Sequence, residues 1–270
     1  MRLGAGKQFV EQDWKRRWAY VLFGEPHVPG WIRLQHVLRE LRGLGLDGCS
    51  IRILDAGCSR GDLLTFLAER HPHWRLVGLE LEADRVEKGE AIRRRLGLRN
   101  VSYLRADICQ LPFEEKFDVV VCSDVMEHIA GDREAFASLT RAMKPGGYLV
   151  VTSPSSPQPR HLPLVAWRER RVGFDPSEYG HVRQGYSIQE LQQRFEATGS
   201  KPIRIRYTYG LWGTLSFDLF FSIGDNQPNP LLFLGLYPFL KLLGWLDLQN
   251  EPEHGAAVLG VARKLKNGQE

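Results

Sequence analysis

Short apolar runs alternate with amphipathic stretches along the chain from residue 51 onward. Apolar residues are nearly continuous in the runs, which predicts strands that are buried on both faces. The intervening stretches repeat their apolar residues at helical spacing and predict helices. Strands that alternate with helices in this way indicate a parallel α/β sheet. The predicted strands are Ile51–Leu54, Leu76–Leu79, Val101–Leu104, Phe117–Cys122 and Tyr148–Thr152, and the predicted helices are Gly61–Arg70, Ala83–Leu96 and Asp132–Met143.

Residues that start or end elements support these assignments. Gly97 suits the left-handed conformation that closes a helix, and Lys144–Gly147 predicts a turn after the third helix. Ser187–Glu190 has the form of a capping box, which predicts a further helix to about Thr198 that ends at Gly199. Pro202–Thr208 alternates apolar residues with arginines, which predicts a sixth strand with one more solvated face. Ala256–Ala262 is a last apolar run and predicts a seventh strand.

Three segments lie outside this alternation. Residues 1–50 contain several aromatic side chains between positions 9 and 23, which we predict to pack in the interior, and a predicted helix from Trp31 to Arg42. We therefore expect an N-terminal helical cap before a domain over residues 51–264. Residues 154–186 are rich in proline and residues 209–255 are strongly apolar. Because loops of this length are uncommon unless they cover a site, we expect two lid insertions. Residues 265–270 form a short tail.

Composition narrows the class of protein. A hydrophobic content of 43% with 25% charged residues is that of a folded chain, and a net charge of +4 that is spread along the sequence implies no nucleic-acid partner. The chain start has no apolar core of the kind that directs export. The cysteines lack the spacing of a zinc site and are interpreted as reduced thiols of a cytoplasmic protein: Cys49, Cys58, Cys109 and Cys122.

The longest apolar tract, Leu231–Leu246, covers 16 positions and is interrupted by Pro238 and Lys241. It is shorter than the ~20 residues that a membrane-spanning helix needs. Four interpretations remain open: a buried helical hairpin, a homodimer interface, a wall of a lipophilic acceptor pocket, or a contact with one membrane surface. In the last case Lys241 and Trp245 would lie at the level of the lipid headgroups.

A glycine-containing turn follows the first predicted strand and opens the first predicted helix. It reads Asp55-Ala-Gly57-Cys58-Ser59-Arg60-Gly61. Glycines let a ligand approach the chain closely, and the amides at a helix start can face it. Glycines alone are also compatible with a tight connection that binds nothing.

Acidic residues at the ends of the next two strands make a ligand the preferred interpretation. Glu80 ends the second strand, where a carboxylate can accept hydrogen bonds from ribose hydroxyls, and Asp107 follows the third, where it can accept from an exocyclic amine. Ser59 and Asp62 stand where a dinucleotide fingerprint would need glycine, which disfavours nicotinamide and flavin cofactors. An adenosyl ligand without a pyrophosphate fits better.

With these motifs the chain resembles the class I S-adenosylmethionine-dependent methyltransferases, from about Ile51 to Lys264. Met126–Ile129 and Met143–Val151 resemble the small-molecule branch that includes the quinone-biosynthesis enzymes. The resemblance implies a Rossmann-like seven-stranded sheet, mostly parallel with the last strand antiparallel, with helices on both faces. It implies S-adenosylmethionine as cofactor and S-adenosylhomocysteine as product. The implied cofactor-binding residues are Asp55, Gly57, Cys58, Ser59, Gly61, Glu80, Leu81, Asp107, Ile108 and Ser123, where Ser59 replaces the usual middle glycine.

Two histidines are candidates for the chemistry. Methyl transfer needs alignment more than a base, but an oxygen acceptor benefits from a base with a pKa near neutrality. His128 follows the fourth strand and His181 precedes the capped helix. His128 could instead tie down the following helix. Asp124 and Glu127 are near enough in sequence to hold a divalent metal with His128, but we predict no metal.

The predicted function is methyl transfer from S-adenosylmethionine to a small, lipophilic acceptor, with oxygen favoured over carbon or nitrogen as the acceptor atom. Two other functions remain open. One is methylation of a sugar or glycan intermediate, and the other is a non-catalytic subunit that binds S-adenosylmethionine and stabilises a partner enzyme.

Overall fold

The structure, a computed structural model, describes residues 2–46, 50–159, 162, 180–222 and 234–266, and the backbone alone of residues 230–233. Three closely spaced arginines of the proline-rich segment over 154–186 lie outside these ranges: Arg168, Arg170 and Arg171. The strands are β1 Arg52–Ala56, β2 Arg75–Glu80, β3 Val101–Arg105, β4 Phe117–Ser123, β5 Met143–Pro154, β6 Ser200–Thr208 and β7 Ala257–Lys264. The helices are α1 Trp14–Phe23, α2 Val28–Gly43, α3 Asp62–Arg70, α4 Ala83–Arg95, α5 Asp132–Ala142, α6 Ile188–Glu196, α7 Leu211–Ser222 and α8 Pro230–Leu248, and short 3-10 helices cover Ala5–Phe9, Ile108–Gln110 and Met126–His128.

The strands form a seven-stranded sheet in the order β3-β2-β1-β4-β5-β7-β6. The pairs from β3 to β5 are parallel, and β7 runs antiparallel to both β5 and β6. Side chains along a strand alternate between the faces, and here both sets are buried: Ile53 lies in the core on one face and Leu54 in the core on the other. The fold predicted from the sequence is therefore confirmed.

The predicted turn at Lys144–Gly147 is wrong. Strand β5 already begins at Met143, which pairs with Phe117, and the register shifts between Phe117 and Val119. Gly146 has a φ of 80°, so the glycines provide an irregularity within the strand instead of a break before it. The other end signals hold. Ser187 and Glu190 form a capping box, and Gly97 and Gly199 have left-handed φ values of 64° and 76°.

Helix α2 begins at Val28, three residues before the predicted Trp31. Its first turn includes Pro29, whose missing N–H costs nothing there, and His27 caps it because its Nδ1 accepts a hydrogen bond of 3.0 Å from the Gly30 amide. The aromatic residues before it do not all pack as predicted. Tyr20 is buried, whereas Trp14 and Trp18 are exposed.

The apolar insertion over 209–255 contains α7 and α8, which pack against α2. They share a third apolar cluster that includes Val28, Ile32, Tyr209, Phe220 and Leu240. Among the described helices, none has the length and apolar character that crossing a bilayer requires.

Candidate active site

The predicted cofactor residues lie at one edge of the sheet. Asp55 is the second-to-last residue of β1, Glu80 ends β2, Asp107 follows β3 by two residues and Ser123 ends β4. Because these four strands are parallel, their carboxyl ends meet at the same edge, where ligands of open α/β sheets bind. The remaining predicted residues lie in the loops that leave these strands: Gly57, Cys58, Ser59, Gly61, Leu81 and Ile108.

Backbone conformation and packing within the protein require the glycines of this turn. Gly57 and Gly61 have φ values of 81° and 79°, and a Cβ on Gly61 would lie 2.1 Å from the Tyr103 hydroxyl. A Cβ on Gly57 would lie 2.3 Å from a methyl of Val125. Ser59, at φ 50°, adopts the left-handed conformation that glycine takes more readily. These glycines are therefore explained by packing and backbone conformation, and evidence for a ligand comes from the acidic residues.

Glu80 has a fixed orientation in this crevice. One carboxylate oxygen accepts from the amides of Leu81 and Glu82 at 2.8 and 3.2 Å, and the other accepts from the Ser59 amide at 3.0 Å. The Leu81 side chain beside it is exposed, which provides an apolar surface next to the acid. Glu80 thus ties the glycine turn to the end of β2, where a ribose would lie.

Asp107 is exposed and accepts a hydrogen bond of 2.9 Å from the Cys109 amide, which caps the 3-10 helix Ile108–Gln110. It therefore has a structural role besides the predicted contact with adenine.

Among the acidic residues of the crevice, Asp55 is the one whose carboxylate would gain most from a bound ligand. Its carboxyl group is buried, and burial, assisted by the charges of Asp62 and Glu80, raises its pKa to about 7. Within the described residues nothing donates a hydrogen bond to this carboxylate. A buried carboxylate without a partner is costly, and a ligand ammonium would relieve it. The residues present therefore fit the amino group of S-adenosylmethionine.

Arg33 of the N-terminal cap was missed by the sequence analysis. Its guanidinium lies 2.5 Å from the carboxylate of Asp124, which follows β4 and also accepts from the Thr152 hydroxyl at 2.8 Å. Its Nε is buried and has no hydrogen-bond partner among the described residues. An arginine placed this way suits the carboxylate of a methionine group. No sequence signal distinguishes it, because the predicted helix contains other arginines, such as Arg39.

Lys7 provides a second connection from the cap to the crevice. It is buried, pairs with Glu25, and lies 2.5 Å from Asp62, the first residue of α3. The sequence analysis considered Asp62 only because it stands where a dinucleotide fingerprint would need a glycine. The contact places the 3-10 helix Ala5–Phe9 against the glycine turn.

The structure brings the two candidate histidines together. Their ring centroids are 4.6 Å apart and the rings are perpendicular. Nδ1 of His128 lies 3.0 Å from the carbonyl oxygen of Gly180, so Nδ1 carries the proton and Nε2 is left as a proton acceptor. Burial and the neighbouring His128 lower the pKa of His181, which keeps it neutral. The amide of Val182 donates to the carbonyl of Glu127 at 2.9 Å and holds this segment in place.

A divalent metal would also find ligands here. Ligand atoms of Glu127, His128 and His181 all lie within 4.8 Å of one another. The sequence analysis considered Asp124 in place of His181, but Asp124 is bound by Arg33 and Thr152. Glu127 is buried, and burial together with the charge of Asp124 raises its pKa to about 8.

Sheet order, the antiparallel β7 and acids at the ends of β1, β2 and β3 define a class I S-adenosylmethionine-dependent methyltransferase. A family model described as a methyltransferase domain matches residues 49–196, more than half of the chain. The chain belongs to this methyltransferase family, and S-adenosylmethionine is its cofactor, as predicted.

Similar proteins act on different acceptors. Over 57% of this chain and 60% of the relative, it is 25% identical to a ubiquinone biosynthesis O-methyltransferase of Rickettsia prowazekii (strain Madrid E). It is 28% identical to a trans-aconitate 2-methyltransferase of Acidovorax sp. (strain JS42), over 56% of this chain and 68% of that one. The structure of phosphoethanolamine N-methyltransferase 2 of Haemonchus contortus with S-adenosyl-L-methionine superposes with a TM-score of 0.64 at 18% identity, covering 97% of this chain and 60% of that one.

Proposed function

We propose that this protein transfers a methyl group from S-adenosylmethionine to an oxygen atom of a small, lipophilic acceptor. The observation that carries the proposal is His128, whose Nδ1 is engaged by Gly180 so that Nε2 can take a proton beside the cofactor crevice. The similarity to a ubiquinone biosynthesis O-methyltransferase supports oxygen as the acceptor atom.

The crevice would hold the cofactor by its polar ends. Asp55 would hold the amino group, Arg33 the carboxylate, Glu80 the ribose hydroxyls and Asp107 the adenine amine. The cofactor supplies a methyl group made electrophilic by the sulfonium. The chain's contribution is to fix the distance and direction between acceptor oxygen and methyl carbon, and such alignment accounts for much of the acceleration in transfers of this kind.

His128 then acts as a general base. Its Nε2 would accept the proton that the acceptor hydroxyl gives up, and the Gly180 carbonyl would stabilise the resulting imidazolium through Nδ1–H. His181, neutral because its pKa is lowered, lies perpendicular to it and helps to place the acceptor.

The apolar helices of the insertion support a lipophilic acceptor. Helices α7 and α8 bury Phe220 and Leu240 against Val28 and Ile32 of the cap. We include in the proposal that residues 209–255 contact a membrane surface, from which such an acceptor would be drawn.

The base role is tested with His128→Ala. We expect turnover to fall by about 10²–10⁴-fold, because general-base catalysis contributes on this order, while affinity for S-adenosylhomocysteine is unchanged. The assay uses a prenylated catechol and the same catechol without its prenyl chain, with turnover measured from pH 6 to 9 and cofactor affinity measured by calorimetry. His73→Ala is the matched control, since His73 is exposed at the opposite edge of the sheet.

The outcomes separate the roles. Loss of the low-pH limb of the turnover profile in His128→Ala supports a base. Full activity of the variant across the range contradicts it without affecting the family assignment. Inactivation of the wild type by EDTA, with recovery on adding Zn²⁺ or Mg²⁺, would instead make Glu127, His128 and His181 metal ligands. Equal turnover of both catechols would contradict a lipophilic acceptor.

A further inference from the structure

Helix α1 presents an apolar stripe to solvent. Trp14, Trp18, Val21 and Leu22 recur at spacings i, i+4, i+7 and i+8 and are 40% to 65% exposed. On the opposite side of the helix, Tyr20 is buried. A surface helix of a soluble domain normally turns its apolar stripe toward the core, so this arrangement points to a partner with an apolar surface.

Helix α8 has a second outward apolar face. Leu234, Phe239, Leu242 and Trp245 are 46% to 56% exposed, while the opposite side of the helix is buried in the core through residues such as Leu240. The other exposed positions between 234 and 245 are Gly235 and Pro238, so this face carries no charge.

The two helices meet at one point. The rings of Phe23 in α1 and Tyr237 in α8 are 4.6 Å apart, and the Tyr237 hydroxyl donates to the Phe23 carbonyl at 3.3 Å. The next residues of the cap lead to Glu25, which pairs with Lys7, and Lys7 in turn contacts Asp62 at the glycine turn. The apolar faces therefore lie on elements that are connected to the glycine turn through Glu25 and Lys7.

Cations accompany the apolar stripe of α1. Lys15, Arg16 and Arg17 are exposed, and no acidic residue lies within the helix. In the part of the chain that the structure describes, these three side chains form no ion pair. Lys15 and Arg17 stand next to Trp14 and Trp18 in sequence and flank the stripe on its two sides. A helix with tryptophan on one face and cations at its margins is typical of helices that lie in a lipid interface.

If the apolar tract contacts a membrane, the sequence predicts Lys241 at the headgroup level, but the structure places this side chain elsewhere. Lys241 lies 3.7 Å from the ring centroid of Trp31, and burial lowers its pKa to about 7. It is therefore turned toward the cap. Lys15, Arg16 and Arg17 of α1, by contrast, are exposed beside an apolar face.

We propose that the outward faces of α1 and α8 dock the protein onto a bilayer that contains anionic lipids, with both helices lying in the interface. This inference rests on the proposed function, transfer of a methyl group to a lipophilic acceptor, and adds the surface from which that acceptor would be taken. Charge favours a bilayer over a second copy of this chain, because a two-fold interface places the same patch of each subunit, with its cations, against the other. Anionic headgroups complement these cations, and the tryptophans suit the boundary between headgroups and acyl chains.

The test is co-sedimentation of the full chain with vesicles of phosphatidylcholine alone or with 30% phosphatidylglycerol, whose headgroup is anionic. We expect the wild type to bind the anionic vesicles and Trp18→Asp with Leu242→Asp to lower the partition coefficient at least tenfold. Lys15→Glu with Arg17→Glu should abolish the preference for anionic vesicles. Ile203→Asp is the matched control, since Ile203 is equally exposed but lies on β6.

Circular dichroism and S-adenosylhomocysteine affinity establish that each variant is folded. A wild type that stays in the supernatant with anionic vesicles overturns the proposal. So does a wild-type dimer in sedimentation velocity that becomes monomeric in Trp18→Asp with Leu242→Asp, because the faces then serve a second copy. Vesicle binding by the wild type without any methylation of the prenylated catechol would retain the docking surface and reject the proposed acceptor.

Discussion

At the scale of single residues, the feature with the clearest consequence is the buried carboxyl group of Asp55. A carboxylate held in a buried site beside Asp62 and Glu80 binds its proton more tightly than it would in the unfolded chain. The ligand-free protein therefore carries an acid that opposes folding at neutral pH and that a bound ammonium would satisfy. Such tension between stability and binding is common where a site is prepared for a ligand.

Asp55→Asn should separate the two effects. Because the pKa is about 7 in the folded protein and about 3.9 unfolded, this group lowers the free energy of unfolding as pH rises through that window. We expect the variant to be more stable than the wild type by about 3–5 kcal/mol at pH 8, and to differ little from it at pH 4. Urea unfolding of the ligand-free protein measures both.

The same variant should bind S-adenosylhomocysteine more weakly, by about tenfold, since an amide attracts an ammonium less than a carboxylate does. Asp84→Asn, on the exposed part of α4, is the control. Lower stability of the Asp55 variant at pH 8 would contradict this account of the site.

At the scale of elements, one carboxylate ties together the segment that carries His181. Asp132, the first residue of α5, accepts hydrogen bonds from the side chains of Arg183, Tyr186 and Arg194 at 2.8 to 2.9 Å. Burial alone would raise the pKa of Asp132, but Arg194, Tyr186 and Arg183 outweigh it and lower the pKa. These contacts connect α5 and α6 to the segment over 180–187.

Asp132→Asn should weaken this connection. We expect the free energy of unfolding to fall by about 1–3 kcal/mol at pH 7, because charge-assisted hydrogen bonds are lost. Folding lowers the pKa of Asp132, so its carboxylate stabilises the fold fully above the ordinary pKa of an aspartate and less as pH falls toward the lowered pKa. The difference in the free energy of unfolding between variant and wild type should therefore shrink as pH falls below about 4. Urea titrations at pH 7 and pH 3.5 test this.

If the segment over 180–187 also loosens, KM for the acceptor should rise in Asp132→Asn while cofactor affinity is unchanged. Asp84→Asn again serves as the control. An equal loss of stability at both pH values would mean that the carboxylate charge is not the cause.

At the scale of the whole molecule, a buried polar network joins the cap to the C-terminal insertion. The Asp247 carboxylate of α8 accepts from His36 Nε2 of α2 and from the amides of Tyr209 and Gly213, each at 3.0 Å. Arg206 of β6 donates to His36 Nδ1 at 3.3 Å and is also paired with a buried glutamate of α2. Burial lowers the pKa of His36, so the imidazole is neutral and donates through Nε2.

Asp247→Asn should destabilise the fold although it is nearly isosteric. Three donors face the carboxylate, so the amide must turn one N–H toward another donor, and we expect a loss of about 2–4 kcal/mol in the free energy of unfolding. Glu251→Gln, whose side chain is exposed, should change stability by less than about 0.5 kcal/mol. Thermal and urea unfolding should agree, and a loss no larger than that of the control would show that the network is not needed for stability.

The sequence predicted the elements whose signals are local. Strands buried on both faces read as continuous apolar runs, and the capping box at Ser187 and the glycine at Gly97 act within one turn of chain. The error at Lys144–Gly147 has the same origin, because Pro and Gly signal a turn locally whereas pairing with β4 keeps the residues in a strand. The early start of α2 likewise depends on the His27 cap.

The sequence by itself determined the alternation of strands and helices, and hence the sheet edge at which Asp55, Glu80 and Asp107 would meet, because the carboxyl ends of parallel strands share one edge. Only the tertiary structure decided what reaches that edge from afar. Arg33 and Lys7 come from the cap, and the ring of His181 meets His128 across 53 positions of chain. Such long-range contacts depend on how helices pack and leave no periodic signal in the sequence, as is also true of the apolar face of α8 that remains in solvent.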